Sequence, residues 1–447
     1  MTERLPRIAL VVFVVGLALH NLVMAELWDI GVRGRSLDVV SAWKDVLLAA
    51  ALGAAIYGAR SLPTNLWADR LALLYAAIVL VYWVLPQSWL DGAATSRGQL
   101  FAARHHLLPV AAYFLGRLLV LSPAAWRRVS LSLVAVAVGL TLWGLVDVYA
   151  VPLQWWRDSG VPGWFQEQLG LVYRGLSGLP ENWVLNTGDE ENPIRRLGST
   201  FLSPLATSYL LVVVLLYLVA RRQTKWTLAA LAVSYAGLLW THTRAAYLAL
   251  ALGLVVLAAA QRRWLPVGLA VASLVVGLGF VKAFPHIGPT TSYTKAELVI
   301  LRQQGRQTPG VSDDPLSGAD ASTSSHLRNL REGIRTVVRH PQGFGLGNAG
   351  VSASRTGVKL KAGESTYTEI GADTGLAGAA AFIAWLLAVL VAVWRRSAWL
   401  TAAWTAMLAI GIQTDVIGVH WIAYVLFALV GIAVGGGLPS SDEEAAA

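Results

Sequence analysis

The stretch GESTYTEIGADTGLAGAAAFIAWLLAVLVAVW, Gly363–Trp394, passes from a polar mouth into an apolar segment. A helix rises about 1.5 Å per residue, so roughly twenty apolar residues cross a hydrocarbon core of about 30 Å. The apolar half therefore reads as a membrane helix. Glu364, Glu369 and Asp373 sit at its mouth. A carboxylate at bilayer depth is costly, so each needs a partner or a task.

The rest of the chain reads the same way. It has 447 residues, 56% hydrophobic and 14% charged, where a soluble protein carries about a quarter charged residues. The fold class is an all-α integral membrane protein. Without cysteine, neither a disulfide framework nor a thiolate metal site is available. About twelve apolar runs have spanning length, near 8–25, 40–58, 68–85, 104–122, 129–150, 199–220, 226–241, 244–260, 265–282, 367–393, 398–415 and 418–436. Alternate connections carry the basic residues: Arg4 and Arg7, Arg60 and Arg70, Arg127 and Arg128, Arg221, Arg222 and Lys225, Arg262 and Arg263, Arg395 and Arg396. That bias puts both termini in the cytoplasm. It also explains much of the formal charge of +9, so no nucleic-acid partner is expected; membrane lipids are.

The chain then divides into N-terminal helices (1–150), an external interfacial loop (151–197), central helices (198–282), a large external loop between the ninth and tenth spans (283–366), C-terminal helices (367–436) and a cytoplasmic tail (437–447). The two long loops, about 45 and 80 residues, are of a length that is usually functional or disordered. The first contains PLQWWRDSGVPGWFQEQ, whose Trp155, Trp156, Trp164 and Phe165 suit a membrane interface or an aromatic belt. The second opens on a polar piece, RQQGRQTPGVSDDPLSGADASTSS, with little to bury.

A helix is predicted in SHLRNLREGIRTVVRHP, where Leu327, Leu330, Ile334, Val337 and Val338 recur at helical spacing before Pro341. Arg328, Arg331, Arg335 and Arg339 form a second stripe. The stripe suits either a helix resting on anionic head groups or an electropositive rim that attracts a phosphorylated lipid. Arg196 and Arg244 lie at the outer ends of spans, where topology alone does not explain them. A guanidinium fork matches phosphate oxygens, so the pair is a candidate diphosphate clamp, with snorkelling to the interface as the alternative. In HPQGFGLGNAG, Gly343, Gly345 and Gly347 follow His340 at alternate positions and suggest a tight turn with amides open to an anion.

RRLGSTFLSPLA, THTRAAYLAL, HPQGFGLGNAG and STYTEIGADTGLAG, in this order over about 195–434, resemble the O-antigen ligase and polymerase family of bacterial envelope-polysaccharide enzymes. The resemblance implies the fold of lipid-dependent membrane glycosyltransferases. It implies an inverting, metal-independent transfer of a glycan from an undecaprenyl-diphosphate carrier to a glycan or lipid acceptor, with no cofactor. The site would lie on the external, periplasmic face of the bacterial inner membrane. Arg196 and Arg244 match the arginines that hold the carrier diphosphate. Many members place His-Asn where this chain has Glu364 and Ser365, and that His is their usual candidate base. Here the expectation moves to Glu364 as catalytic base, with a pKa raised by partial burial but lowered by the helix N-terminus, and toward a polymerase or another glycan-transfer role. Arg328, Arg331, His340 and Glu369 are the further substrate-binding candidates, Glu369 and Asp373 also reading as an ion-paired entrance to the helix. A polysaccharide or lipid-carrier transporter is the rival from another class, although no internal repeat is seen. A metal-dependent enzyme would use Asp189–Asn192 or Ser312–Pro315, both in polar loops.

Overall fold

The structure is a computed structural model that describes residues 4–171, 178–185, 193–305 and 321–439. Asp189–Asn192, Ser312–Pro315, most of the polar piece before Ser324 and the acidic tail lie outside the described residues. The chain opens with α1 (Arg4–Asp29), α2 (Arg35–Ser41), α3 (Trp43–Ala59), α4 (Trp67–Val84), α5 (Ser96–Arg117) and α6 (Pro123–Ala150). The first long connection holds α7 (Leu153–Asp158) and strands β1 (Val184–Leu185) and β2 (Ile194–Arg195). After α8 (Pro204–Ala220), α9 (Lys225–Trp240), α10 (Arg244–Gln261) and α11 (Leu265–Ile287), the second holds α12 (Lys295–Gly305), α13 (Ala321–Arg339) and α14 (Gly350–Thr356). The chain closes with α15 (Thr366–Trp394), α16 (Ala398–Ile410) and α17 (Phe427–Gly435), which continues a π-helical turn at Ile422–Leu426.

Among the described residues, seven helices are long and apolar enough to cross a membrane, and three shorter apolar ones, 204–220, 398–410 and 422–435, accompany them. The expected runs at 104–122 and 226–241 fall on α5 and α9, which are not among those ten. With 75% of the structure helical and a sheet of two residues per strand, the fold is that of an all-α membrane protein.

Local chemistry starts the helices. Ser122 and Ser203 accept N–H bonds from Ala125 and Ala206, and the residue after each is Pro123 or Pro204, already set at a helical φ. Small residues bring the helices together. A Cβ on Gly116 would lie 2.0 Å from the Ala428 carbonyl oxygen, and one on Gly431 2.3 Å from that of Tyr113, so α5 and α17 touch backbone to backbone. Charges near the end away from the long connections are consumed in structure: Arg117 Nε lies 2.7 Å from Asp69 Oδ1, and Tyr113 donates to the same oxygen at 2.8 Å.

The end bearing the long connections, called here the loop end, has its own core. Trp156, Trp164 and Phe165 pack there with Trp183, Met24 and Leu202. The interfacial reading is thereby corrected for three of the four aromatic residues, which are buried in this core, Trp156 with its Nε1 donating to buried Asp147 at 2.6 Å; Trp155 stays exposed. Arg195 pairs with the same carboxylate at 3.0 Å, pinning β2 to α6.

The continuous run that begins at Gly363 is not one helix. Gly375 adopts φ 67°, ψ −176° inside α15, a conformation that l-residues avoid. The glycine turn inserts at that break: the Leu376 N–H donates to the Pro341 carbonyl at 2.8 Å and the Phe344 N–H to that of Ala372 at 2.7 Å. A Cβ on Gly343, at φ +72°, would lie 2.4 Å from Gly375 N. Gly343→Ala should therefore destabilise the protein by about 2 kcal/mol or more. Gly357→Ala, at φ +69° with nothing within 4 Å, should cost only about 1 kcal/mol of backbone strain. Equal shifts of the two melting temperatures in detergent would show that the contact at Gly375 carries no weight.

Candidate functional site

The glycine turn already holds an anion, and that anion is internal. Asp373 accepts N–H bonds from Gly347 at 3.2 Å and Asn348 at 3.0 Å. His106 Nε2 faces it at 3.2 Å, and the other ring nitrogen of His106 bonds the Tyr75 hydroxyl at 2.9 Å. The amides expected to receive a ligand are committed to a helix carboxylate, so Asp373 is structural. Asn348 locks the turn further, donating to the carbonyls of Phe344 and Gly345 and accepting from Ala93 N–H.

Glu369 differs from its neighbour four residues on. It is buried, accepts from the Glu364 backbone N–H, and lies within electrostatic reach of Asp373 and Asp415. No ion pair to a cation is formed by Glu369 among the described residues. Asp415 comes from the connection between α16 and the π-helical turn. His105 Nε2 lies 3.2 Å from its Oδ2, and Gly418 N–H donates to its Oδ1 at 3.1 Å. Beyond it, Tyr209 stands beside Thr414 and within reach of both Asp415 and Arg196.

Glu364 is half-exposed and sits at φ 66°, a conformation that costs a non-glycine residue about 1 kcal/mol and is often found at functional sites. His326 Nδ1 approaches its Oε2 at 2.6 Å, and Asn329 donates to its Oε1 at 2.8 Å. The bond from His326 is the main reason its carboxyl is held below the usual carboxylate range; burial opposes this, and the His326 charge and Asn329 add to the lowering. Of the opposing effects expected at this carboxyl, the lowering prevails, because a partner on α13 outweighs desolvation. That partner arrives through glycine contacts: a Cβ on Gly333 would be 2.9 Å from the Thr368 side chain, and one on Gly371 2.8 Å from Val337. The basic helix thus lies on the first turns of α15.

Arg196 follows Arg195 out of β2 but faces the other way. Its Nε donates to the Thr241 carbonyl at 2.9 Å and its Nη2 to Thr243 Oγ1 at 3.1 Å. Burial lowers its pKa to about 10, helped by the Arg244 charge and opposed by Tyr247 and Tyr209, so it stays charged near neutral pH. Arg244 opens α10 close by. Between them, His242 stacks on Phe284 with ring centroids 4.8 Å apart and is held neutral near pH 7, its pKa lowered to about 3 by burial and by both arginines.

Arg328 and Arg331 are exposed and line an open groove with Ser324, Leu327, Glu332 and Arg335. His340 is not drawn into the carboxylate cluster by any recorded bond; its ring lies 4.5 Å from that of Phe344. Among the described residues no group of three or more His, Asp or Glu is arranged to hold a metal ion. Sequence reading missed His105, His106, Asp415 and His326. The signal for the first two was present in RHHLLPVAAYF, Arg104–Phe114, an ionisable cluster inside an otherwise apolar helix.

No curated protein matches the chain. Residues 228–383 match the family model described as O-antigen ligase, a stretch that includes Arg244, α13, the glycine turn, Glu364 and Glu369 and leaves Arg196 outside. The match bears out the resemblance to the O-antigen ligase family and supports a membrane glycan-transfer role in polysaccharide assembly.

Proposed function

We propose that the protein transfers a glycan from an undecaprenyl-diphosphate carrier to an acceptor hydroxyl, as polymerase or ligase, at the outer face of the bacterial inner membrane. The carrying observation is the imidazole–carboxylate pair of His326 and Glu364, 2.6 Å apart, in the position where the family usually places its own histidine. With the Glu364 carboxylate set against Nδ1, Nε2 of His326 is the proton acceptor. Glu364 and His326 then act as one base, the carboxylate setting the tautomer and supporting the imidazolium that forms. His326 takes the proton of the acceptor hydroxyl as its oxygen attacks the anomeric carbon. The bond from that carbon to the carrier diphosphate breaks on the opposite face, and the diphosphate leaves with its charge met by Arg196 and Arg244. Glu369, buried beside this step, receives sugar hydroxyls. Arg328 and Arg331 on the rim raise the local concentration of anionic carrier, and His340 borders the glycine turn at the substrate's edge.

His326→Ala should cut turnover of purified enzyme by roughly 10² to 10⁴ while carrier binding persists. Arg244→Lys should not rescue what Arg244→Ala loses, because an ammonium lacks the fork. Wild-type turnover in His326→Ala would remove the base from this scheme. Full activity in Arg244→Lys would reduce Arg244 to an interfacial residue.

The Glu364 pair also sets an acid limit. A carboxyl whose pKa is lowered by folding stabilises above its unfolded value of about 4.3, and the benefit is lost as pH falls through the lower folded value. The melting temperature of Glu364→Gln should thus lie slightly below wild type at pH 7, and the gap should close by about pH 3. A gap that widens on acidification would contradict the pairing.

The twelve-span topology, with both termini cytoplasmic, makes α13 external. The chain has no cysteine, so a cysteine replacing Ser324 should react with an impermeant thiol reagent in intact cells. Protection there, with labelling of a cysteine replacing Ser397, would invert the topology.

A further inference from the structure

A second cluster of positive charge lies at the loop end, on elements other than those that carry Arg196 and Arg244. Arg97, Phe101 and Arg104 follow one another on a single face of α5, at helical spacing. The guanidinium carbons of Arg97 and Arg355 stand 5.2 Å and 4.2 Å from the centroid of the same Phe101 ring. Arg355 is carried by α14 and anchored by its Nε, which donates to the Leu169 carbonyl at 3.0 Å. Lys44, 2% exposed, forms the floor, with Nζ 2.7 Å from the Ser41 carbonyl and 3.1 Å from His20 Nε2.

Two carboxylates face these four basic side chains. Asp45 lies 2.8 Å from Arg104 Nη2 and Asp38 4.0 Å from Arg97 Nη2. Arg355 and Lys44 form no ion pair among the described residues, and Arg104 Nε is buried without a hydrogen-bond partner. Burial, then Arg104 and Arg97, lower the Arg355 pKa to about 10 against the weaker pull of Asp38. Cations gathered away from water repel one another, and an anion that enters among them relieves this. Access is graded, from the exposed Arg97 side chain, 62% accessible, down to Lys44.

We propose that Arg97, Arg104, Arg355 and Lys44 form a second anion site, which takes a phosphate or diphosphate group of the acceptor. The assignment rests on the glycan-transfer reading above and deepens it. Arg104 is followed by His105, which pairs with Asp415, and Tyr209 lies within electrostatic range of both Asp415 and Arg196. The two basic clusters thus terminate one polar path, with Glu369 beside its middle. A donor diphosphate at one end and an acceptor phosphate at the other would bring two anionic substrates to a shared centre without placing their charges together. Guanidinium forks suit phosphate oxygens, and stacking on Phe101 holds two of them flat.

The test uses the full chain in phosphatidylcholine nanodiscs and measures equilibrium binding of radiolabelled inorganic diphosphate. Wild type should bind at two sites. Arg355→Gln leaves no carboxylate unpaired and should weaken one of them by about tenfold or more; Arg97→Gln, at the exposed rim, should weaken the same one by less. Arg244→Gln should weaken the other. A single wild-type site that is indifferent to Arg355→Gln and Arg97→Gln overturns the proposal. Loss of one site in Arg355→Gln, with Arg244→Gln leaving both intact, upholds it and removes the donor assignment instead. Adding phosphatidylglycerol separates the sources: unchanged diphosphate binding upholds an acceptor group, whereas displacement from the Arg355-dependent site gives that site to a membrane lipid and overturns the acceptor assignment.

Discussion

A carboxylate set inside an apolar helix has to be neutralised, and Asp373 is neutralised from several directions at once. The His106 ring approaches from α5, and two amides of the glycine turn approach from beyond α13. These bonds fix α15 against α5 and hold the turn against both. They also account for the break at Gly375, since the chain must open there for the turn to insert, with Leu376 N–H redirected to Pro341. Remote segments of sequence are joined by this one cluster. The positions of Glu369, one turn toward the mouth, and of Glu364, just before the helix starts, follow from it.

Glycine does related work at the next level. Gly333 and Gly371 allow α13 to lie on α15, and only at that distance can His326 and Asn329 reach Glu364. A bulkier pair would lift the helix and leave the carboxylate to water. The φ of 66° at Glu364 fits the same picture, because a strained residue persists only where its surroundings hold it.

Most of the apolar helices were legible in the sequence, since runs of spanning length are a local signal, but the runs at 104–122 and 226–241 fall on helices outside the ten apolar ones, and the break at Gly375 was not legible. Legible too was α13, whose apolar and basic stripes alternate at 3.6 residues per turn. Contacts between distant residues were not legible. His106 and Asp373 are 267 positions apart, and no periodicity points from one to the other. The glycine turn was recognised as tight, but its amides were read as open because its partner lay in another motif. Trp156 and Trp164 were read from composition as interfacial, whereas a single buried acceptor, Asp147, turned Trp156 inward. Glu364 stood out in the sequence, while its environment depended on a histidine that the sequence places on a helix of its own.

Ionisable groups are expensive near a bilayer, so their pairing separates structure from function. Arg117 with Asp69, Arg195 with Asp147 and Arg157 with Glu297 are close, largely buried pairs, and each ties two segments together. Glu369 and Arg355 have burial without such a partner, and Arg196 is held by a carbonyl and a hydroxyl rather than by a carboxylate. Folding alone gives no return for leaving these groups without an ion-pair partner. They gather at the loop end, where substrates with charges and hydroxyls of their own would complete them. Adjacent residues draw the distinction most sharply: Arg195 and Arg196 have the same chemistry, yet the first closes a buried ion pair and the second keeps its guanidinium beside Arg244. One arginine thus holds β2 in place through a buried carboxylate, while the next is held only by the Thr241 carbonyl and the Thr243 hydroxyl.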